Sequence, residues 1–503
     1  MASSTVEPLP FNPESPDVRV VRDSLAAVLR AAALGKFDAQ VDGELQIPAP
    51  QSLSWGGNEF AFQDTSWKVS TGALELEIRQ PTFRPDEKLR RMFRVMNQPA
   101  KFRLEGDSEL EARLAHLTGH RQHVDVANQR AVATYTLMLD SWTWRPPSDS
   151  CFWLGRLHGV PQIDDGNLAV CAGGGWSGYN LFLPGKYDLC IIQRRKDQAS
   201  ILVVDTHGEK LDHETLGTDF MAMEFALGRP LRLDHLSAVQ DDLVVVGAAG
   251  LGFGSSVARA RPGRCPVAAS MDIYANFEEL EAEHMYVPII FSLVDRALHA
   301  EGPDSALLTA VAAYLDAATA ASIHVSYLLI QVALEALGSA MVQAESGVLV
   351  AEPAQWLAFV SKHEAEIRAL ARNEEAAPKL VSKVTNAQQA PSTDRVANAL
   401  KHCGLDVPSA ALKEIPRRNA SAHKYVMAKE STADAQDLAD RLAIVQTLLV
   451  ALIAKHVGFR GPIIGWGWIR GRHQIPDWWP WEALPEAKQR FFVTPEDYTP
   501  RRV

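Results

Sequence analysis

The sequence predicts an α+β protein of several domains: a β-rich, antiparallel N-terminal domain over residues 1–280, an all-α bundle over 281–460, and a Trp-rich tail over 461–503. Three observations carry this reading. From Thr71 the hydrophobic period is two, with Leu74, Leu76 and Ile78 alternating with Glu75, Glu77 and Arg79, as in an antiparallel strand with one wet face. Short apolar runs broken by Gly, Pro, Asp and Asn then continue to about Val246, the texture of a sandwich or curled sheet. From about Glu278 to Gly458 the period is helical. A chain of 503 residues is long enough for two or three domains that each bury a core.

Taken in order, residues 1–16 form a loose lead-in marked by Pro8, Pro10, Pro13 and Pro16. Val21, Leu25, Val28, Leu29 and Ala32 recur at helical spacing and stop at Gly35, a suitable C-terminal cap. After the Thr71 strand comes a basic segment, Arg84 to Arg103, with Leu89, Met92, Phe93 and Met96 as a helical stripe; its charges read as a solvated face. Strands are expected at Ala131–Leu139, Phe152–Leu157, Asn167–Cys171, Tyr187–Gln193, Ser200–Asp205 and Leu243–Val246, with a hairpin loop at Arg194–Gln198. Gly173-Gly174-Gly175-Trp176-Ser177-Gly178 is no nucleophile elbow, because Gly-x-Ser-x-Gly needs glycine where Tyr179 stands. Gly247, Gly250, Gly252 and Gly254 lack the nucleotide-loop spacing and read as turns. His120, His123 and Asp125 have no complementary Cys or His pair and read as structural.

In the helical part, Val287–Leu298 is one segment, and Leu307–Met341 is long enough for two, with Glu335 on an otherwise apolar stretch. Residues 353–403 suggest three shorter amphipathic helices. Ser431-Thr432-Ala433-Asp434 opens a further helix whose apolar positions Leu438, Leu442, Val445, Leu449, Leu452 and Ile453 run to Gly458. Trp466, Trp468, Trp478, Trp479 and Trp481 crowd the tail, where packing onto the β-domain or a second subunit is favoured over base stacking.

Apolar content of 47%, charged content of 22% and a net charge of −11 describe a soluble protein without a surface suited to bulk nucleic-acid binding. Five cysteines, at 151, 171, 190, 265 and 403, share no close spacing, so neither a disulfide framework nor a zinc ribbon is indicated, and a reducing cytoplasmic setting fits. Met1–Asp17 has neither a basic start nor an apolar core and does not read as a secretory signal. Leu442–Ala454 is interrupted by Gln446 and is too short to span a membrane.

One stretch concentrates chemistry. Arg417-Arg418-Asn419-Ala420-Ser421-Ala422-His423-Lys424-Tyr425 follows Pro416 and gathers cation, amide and imidazole within a few residues. Cleaving RNA without a metal needs a base for the 2′-hydroxyl, an acid for the leaving oxygen and a fixed positive charge beside the phosphate. His423 suits either proton role and Arg418 the charge role. If a helix starts near Arg418, Asn419 and His423 lie four apart on one face while Arg418 occupies the first turn. Lys413, Arg417, Arg418, Lys424 and Lys429 outnumber Glu414 and Glu430, so this is a basic locality in an acidic chain. Arg417, Lys424 and Lys413 are the candidate substrate-binding cations. A bare Arg-x-x-x-x-His is expected about once by chance in such a chain, and the Asn after the Arg makes chance much less adequate.

Arg418-Asn419-x-x-x-His423 resembles the Arg-Asn-x-x-x-His motif of the HEPN superfamily, named for higher eukaryotes and prokaryotes nucleotide-binding. The resemblance covers roughly residues 285–460 and is specific at that motif. It implies an all-α HEPN-like bundle and a metal-independent endoribonuclease without cofactor that acts as a homodimer through the helical domain. Arg418, Asn419 and His423 would form its site. A β-rich region ahead of such a domain is also similar to the layout of ApeA-like anti-phage defence proteins. That layout implies a toxin regulated in abortive infection, with a phage-derived trigger acting on the N-terminal domain. The alternative the family also holds is a non-catalytic nucleotide- or RNA-binding or scaffold protein.

Overall fold

The computed structural model describes residues 23–37, 47–55, 58–61, 64–70, 73–81, 100–105, 109–125, 130–144, 151–160, 171–172, 175–176, 178–194, 199–240, 245–250, 286–300, 305–320, 322–343, 351–387, 392–402 and 432–459. The chain divides into two compact units, one of residues 1–266 and 270–299, the other of residues 267–269 and 300–503.

The first unit is built on antiparallel β-structure. Its strands are β1 Pro50–Trp55, β2 Asn58–Ala61, β3 Asp64–Ser70, β4 Ala73–Pro81, β5 Ala100–Leu104, β6 Glu109–Asp125, β7 Arg130–Trp144, β8 Cys151–His158, β9 Cys171–Ala172, β10 Gly175–Trp176, β11 Gly178–Leu183, β12 Asp188–Arg194, β13 Ser200–Asp205, β14 Arg232–Gln240 and β15 Val245–Gly250. Thirteen form one sheet in the order β11-β12-β13-β8-β14-β15-β7-β6-β5-β1-β2, with β4 joining β3 to β7; β9 and β10 pair separately. The alternation from Leu74 is realised in β4, where Leu74 and Leu76 are fully buried and Glu75 and Glu77 are not. Gly247 and Gly250, expected in turns, lie in β15, which runs beside β14 and β7. Glycine weakens a strand interior and often marks a bulge, and the β14–β15 register shifts between the pairs Ala238–Gly247 and Val239–Val245; the small side chains of Gly247-Ala248-Ala249-Gly250 leave no alternation to read.

Helix α1, Asp23–Ala33, ends where the sequence places it, with Gly35 at φ +75°. Its Leu25, Val28, Leu29 and Ala32 form one core cluster with Phe152, Leu154, Phe182, Cys190, Ile192, Ile201 and Val203. Every residue of β12 and β13 is buried, including the alternate set Leu189, Ile191, Leu202 and Val204. Because successive side chains point to opposite faces, both faces of this part of the sheet are covered. Burial also pushes the Cys190 thiol well up from its ordinary range.

Two further helices belong to this unit. Helix α2, His213–Ala226, has no counterpart among the sequence expectations. Asp212 caps it, accepting from Thr215 N at 2.7 Å, and Leu216, Phe220 and Met223 are its buried stripe. Helix α3, Tyr286–Leu298, packs against α2 and β11. The carboxyl of Glu224 on α2, which accepts from Leu231 N at 2.6 Å, is pushed up by burial to about 8. An acid whose pKa is raised on folding binds its proton more tightly in the folded state, so its contribution is most favourable below 4.5 and is lost as pH rises through about 8. Glu224→Gln keeps the acceptor and should flatten the fall in urea midpoint between pH 5 and pH 8.5; an unchanged slope would show that another group sets it.

The described elements of the second unit are helices: α4 Ser305–Thr319, α5 Ile323–Gln343, α6 Pro353–Lys362, α7 Glu364–Ala369, α8 Ala377–Asn386, α9 Ser392–His402 and α10 Thr432–His456. The long apolar stretch is two helices, α4 and α5, and residues 353–402 hold four rather than three, because His363 ends one helix and begins the next. Helix α5 packs against α4, α9 and α10. By length and composition Ile323–Met341 could cross a membrane, but Ser326 and Gln331 are buried beside Tyr327, Ile330 and Leu334, as in a bundle's core helix. Leu442, Val445, Leu449, Leu452 and Ile453 of α10 are buried as their spacing requires, and the helix ends before Gly458 at φ +81°. Glu335 is half-buried.

Candidate functional site

Arg417, Arg418, Asn419, His423, Lys413 and Lys424 lie outside the described residues, as do the tail at 461–503, the Arg195–Gln198 loop and residues 82–99 of the basic segment. Lys101 and Arg103 fall on β5, where Lys101 Nζ pairs with Glu111 at 2.6 Å. His120, His123 and Asp125 lie on β6.

A different constellation is fully described, inside the first unit. It is built where three segments meet: the middle of α2, the last turn of α3 and the Pro184-Gly185-Lys186 turn between β11 and β12. Asp295 and His299 are four apart in sequence, at and just past the end of α3, and therefore share a side. Asp219 reaches them from α2. His299 Nε2 is 2.5 Å from Asp219 Oδ1 and 3.5 Å from Asp295 Oδ1. The other carboxylate oxygens are held by successive backbone amides, Tyr187 N donating to Asp219 Oδ2 at 3.0 Å and Lys186 N donating to Asp295 Oδ2 at 2.8 Å. Tyr187 is fixed in turn: its hydroxyl donates to the Lys210 carbonyl and accepts from Asp212 N, which joins the start of β12 to the cap of α2.

Asp219 and Asp295 are buried, while the His299 side chain keeps 21% of its surface. Burial pushes the Asp219 carboxyl up to about 7, against the pull of the His299 hydrogen bond and with the added push of Asp295. The hydrogen bond to Asp219, with the Asp295 carboxylate close beside it, holds the His299 imidazole up to about 9. Both shifts favour positive charge in the cluster, since two carboxylates and one imidazolium leave a net −1 in a water-poor place. Among the described residues these three are the group with ligand atoms mutually close enough for one ion, all within 4.8 Å of one another.

Gly185 is dictated by this packing. A Cβ there would stand 2.7 Å from Asp295 Oδ2 and 3.0 Å from the Phe291 ring. Gly185→Ala should therefore destabilise the first unit by about 1–3 kcal/mol, as overpacking does, and weaken the Lys186 N bond to Asp295. Hydrogen exchange at Lys186 and Tyr187 reads the effect directly; unchanged protection would mean that the turn moves aside freely.

Sequence reasoning missed this cluster. Its members are 76 and 80 residues apart, counted from Asp219 to Asp295 and to His299, and no motif search spans that distance. Two signals were present: the Leu216, Phe220, Met223 spacing after Asp212, which specifies α2, and an Asp295-x-x-x-His299 pair at the end of the mostly apolar Val287–Leu298 segment.

No protein-family model matches the chain, and no curated protein matches it. Among solved structures, Hcp1 from Flavobacterium johnsoniae is similar over a part, at 13% identity, covering 19% of this chain and 93% of that one with a TM-score of 0.15; a score this low carries no argument.

Proposed function

We propose that the chain is a metal-independent endoribonuclease of HEPN type that cuts RNA through attack by the substrate's own 2′-hydroxyl. The observation that carries this reading is Arg418-Asn419-x-x-x-His423 with its cluster of basic neighbours. The setting supports it: the described residues on either side of the motif are the helices α9 and α10, both of which pack against α5. In this mechanism His423 takes the 2′-hydroxyl proton or returns one to the 5′-leaving oxygen. Arg418 neutralises charge on the pentavalent phosphate, and Asn419 holds a phosphate oxygen or the imidazole. RNA is the substrate because DNA lacks the nucleophile.

One imidazole serves poorly as base and acid at once, so two copies of the helical domain, each contributing a His423, complete the reaction. The β-rich unit restrains the nuclease until a trigger binds, consistent with a regulated toxin in anti-phage defence. The test is incubation of pure protein with total RNA in chelator. Fragments ending in 2′,3′-cyclic phosphate are the expected product, a chemical signature of 2′-hydroxyl attack whatever ion the protein binds elsewhere. RNA bound but left whole would favour a non-catalytic binding protein, and a strictly monomeric but active enzyme by light scattering would remove the dimer.

A further inference from the structure

The Asp219, Asp295 and His299 cluster has a charge and a geometry that its internal bonds leave incomplete. Asp295 is 2% exposed, yet its Oδ1 accepts no hydrogen bond, with His299 Nε2 standing 3.5 Å off. A buried carboxylate oxygen without a donor costs free energy, and the nearby His299 Nε2 is already committed to Asp219 at 2.5 Å. Lys186 does not supply one, because its ammonium is turned to Glu209 at 3.6 Å.

We propose that Asp219, Asp295 and His299 bind one divalent transition-metal ion. Each residue offers one ligand atom, all within 4.8 Å of one another, and one oxygen of each carboxylate is held by a backbone amide, Tyr187 N for Asp219 and Lys186 N for Asp295. Outer hydrogen bonds of this kind orient metal ligands. A divalent ion beside a neutral imidazole balances the charge of the two buried carboxylates. Two oxygens and one imidazole nitrogen suit Zn²⁺ or Mn²⁺ better than the all-oxygen preference of Ca²⁺ or Mg²⁺. At bonds of about 2.1 Å the ligand atoms stand roughly 3.0–3.4 Å apart, so Asp219 Oδ1 and His299 Nε2 need only part slightly as the ion replaces the shared proton. Three protein ligands leave coordination positions for water, and His299 keeps 21% of its side-chain surface exposed. This site stands on its own geometry and does not depend on the ribonuclease reading.

The experiment uses the full-length chain without an affinity tag, stripped by chelator and dialysed against Zn²⁺, Mn²⁺ or Mg²⁺ at micromolar concentration, with bound metal counted by elemental analysis. Wild type should hold one more equivalent of Zn²⁺ or Mn²⁺ than Asp295→Asn, and Co²⁺ should give visible absorption that the variant lacks. His299→Gln, on the more exposed member of the set, should lose the same equivalent and serves if Asp295→Asn does not fold, as judged by circular dichroism. Equal metal content in wild type and in a folded variant overturns the site. So does a wild-type protein that takes up none, which would make the triad an ion cluster that only bolts α3 to α2.

Discussion

Replacing His423 with alanine should abolish RNA cleavage, and with it any growth arrest on expression, while leaving the helical unit folded. The mechanism leaves no other imidazole in the motif to move the 2′-hydroxyl proton, and the buried face of α10 lies beyond the substitution, at Leu442 to Ile453. Arg418→Ala removes a charge that matters most when the phosphate is pentavalent, so turnover should fall by about a hundredfold or more. Arg417→Ala, at a cation assigned to flanking phosphates, should instead weaken binding, with a shallower dependence of affinity on salt. Quantified cleavage of one defined RNA separates these outcomes. A His423→Ala protein as fast as its parent would end the mechanism, and an exchange of the two arginine phenotypes would shift the register by one residue.

The second large effect is one of stability. Asp219→Ala should destabilise the first unit by about 3 kcal/mol in metal-free protein, the low end for breaking a buried ion pair. The low end applies because His299 retains a fifth of its side-chain surface in water and is relieved of part of the cost. What is lost is the acceptor of both His299 Nε2 and Tyr187 N, so a backbone donor at the start of β12 is stranded. Urea unfolding followed by hydrogen exchange in peptides covering 213–226 and 187–194 should show the loss locally. Asp219→Asn, which keeps an acceptor for Tyr187 N, should lie between wild type and Asp219→Ala. If both variants match wild type, the cluster does not hold α2 to α3 and the strand turn.

Much of the α+β organisation is written locally. The alternation at Leu74 to Ile78 specifies β4, the Val21 to Ala32 spacing with Gly35 specifies α1, and the Leu442 to Ile453 stripe specifies the buried face of α10. Period and terminators act over a few residues, so one sequence suffices to read them. The Arg418-Asn419-His423 candidate is legible for the same reason, since its members lie within one and a half helical turns.

What only the tertiary structure decided is whatever depends on distant segments meeting. Val287–Leu298 is plainly helical from its sequence, yet its packing against α2 and β11 groups it with the β-rich unit, whereas pattern alone assigns it to the helices that follow. Strand order is equally invisible: β7 pairs with β4, β6 and β15, a choice made by which apolar faces must be covered together. The Asp219, Asp295 and His299 cluster is the strongest case. Each residue alone reads as an ordinary polar position, and only folding brings two buried carboxylates and a half-buried imidazole within 4.8 Å of one another, where they shift one another's charge.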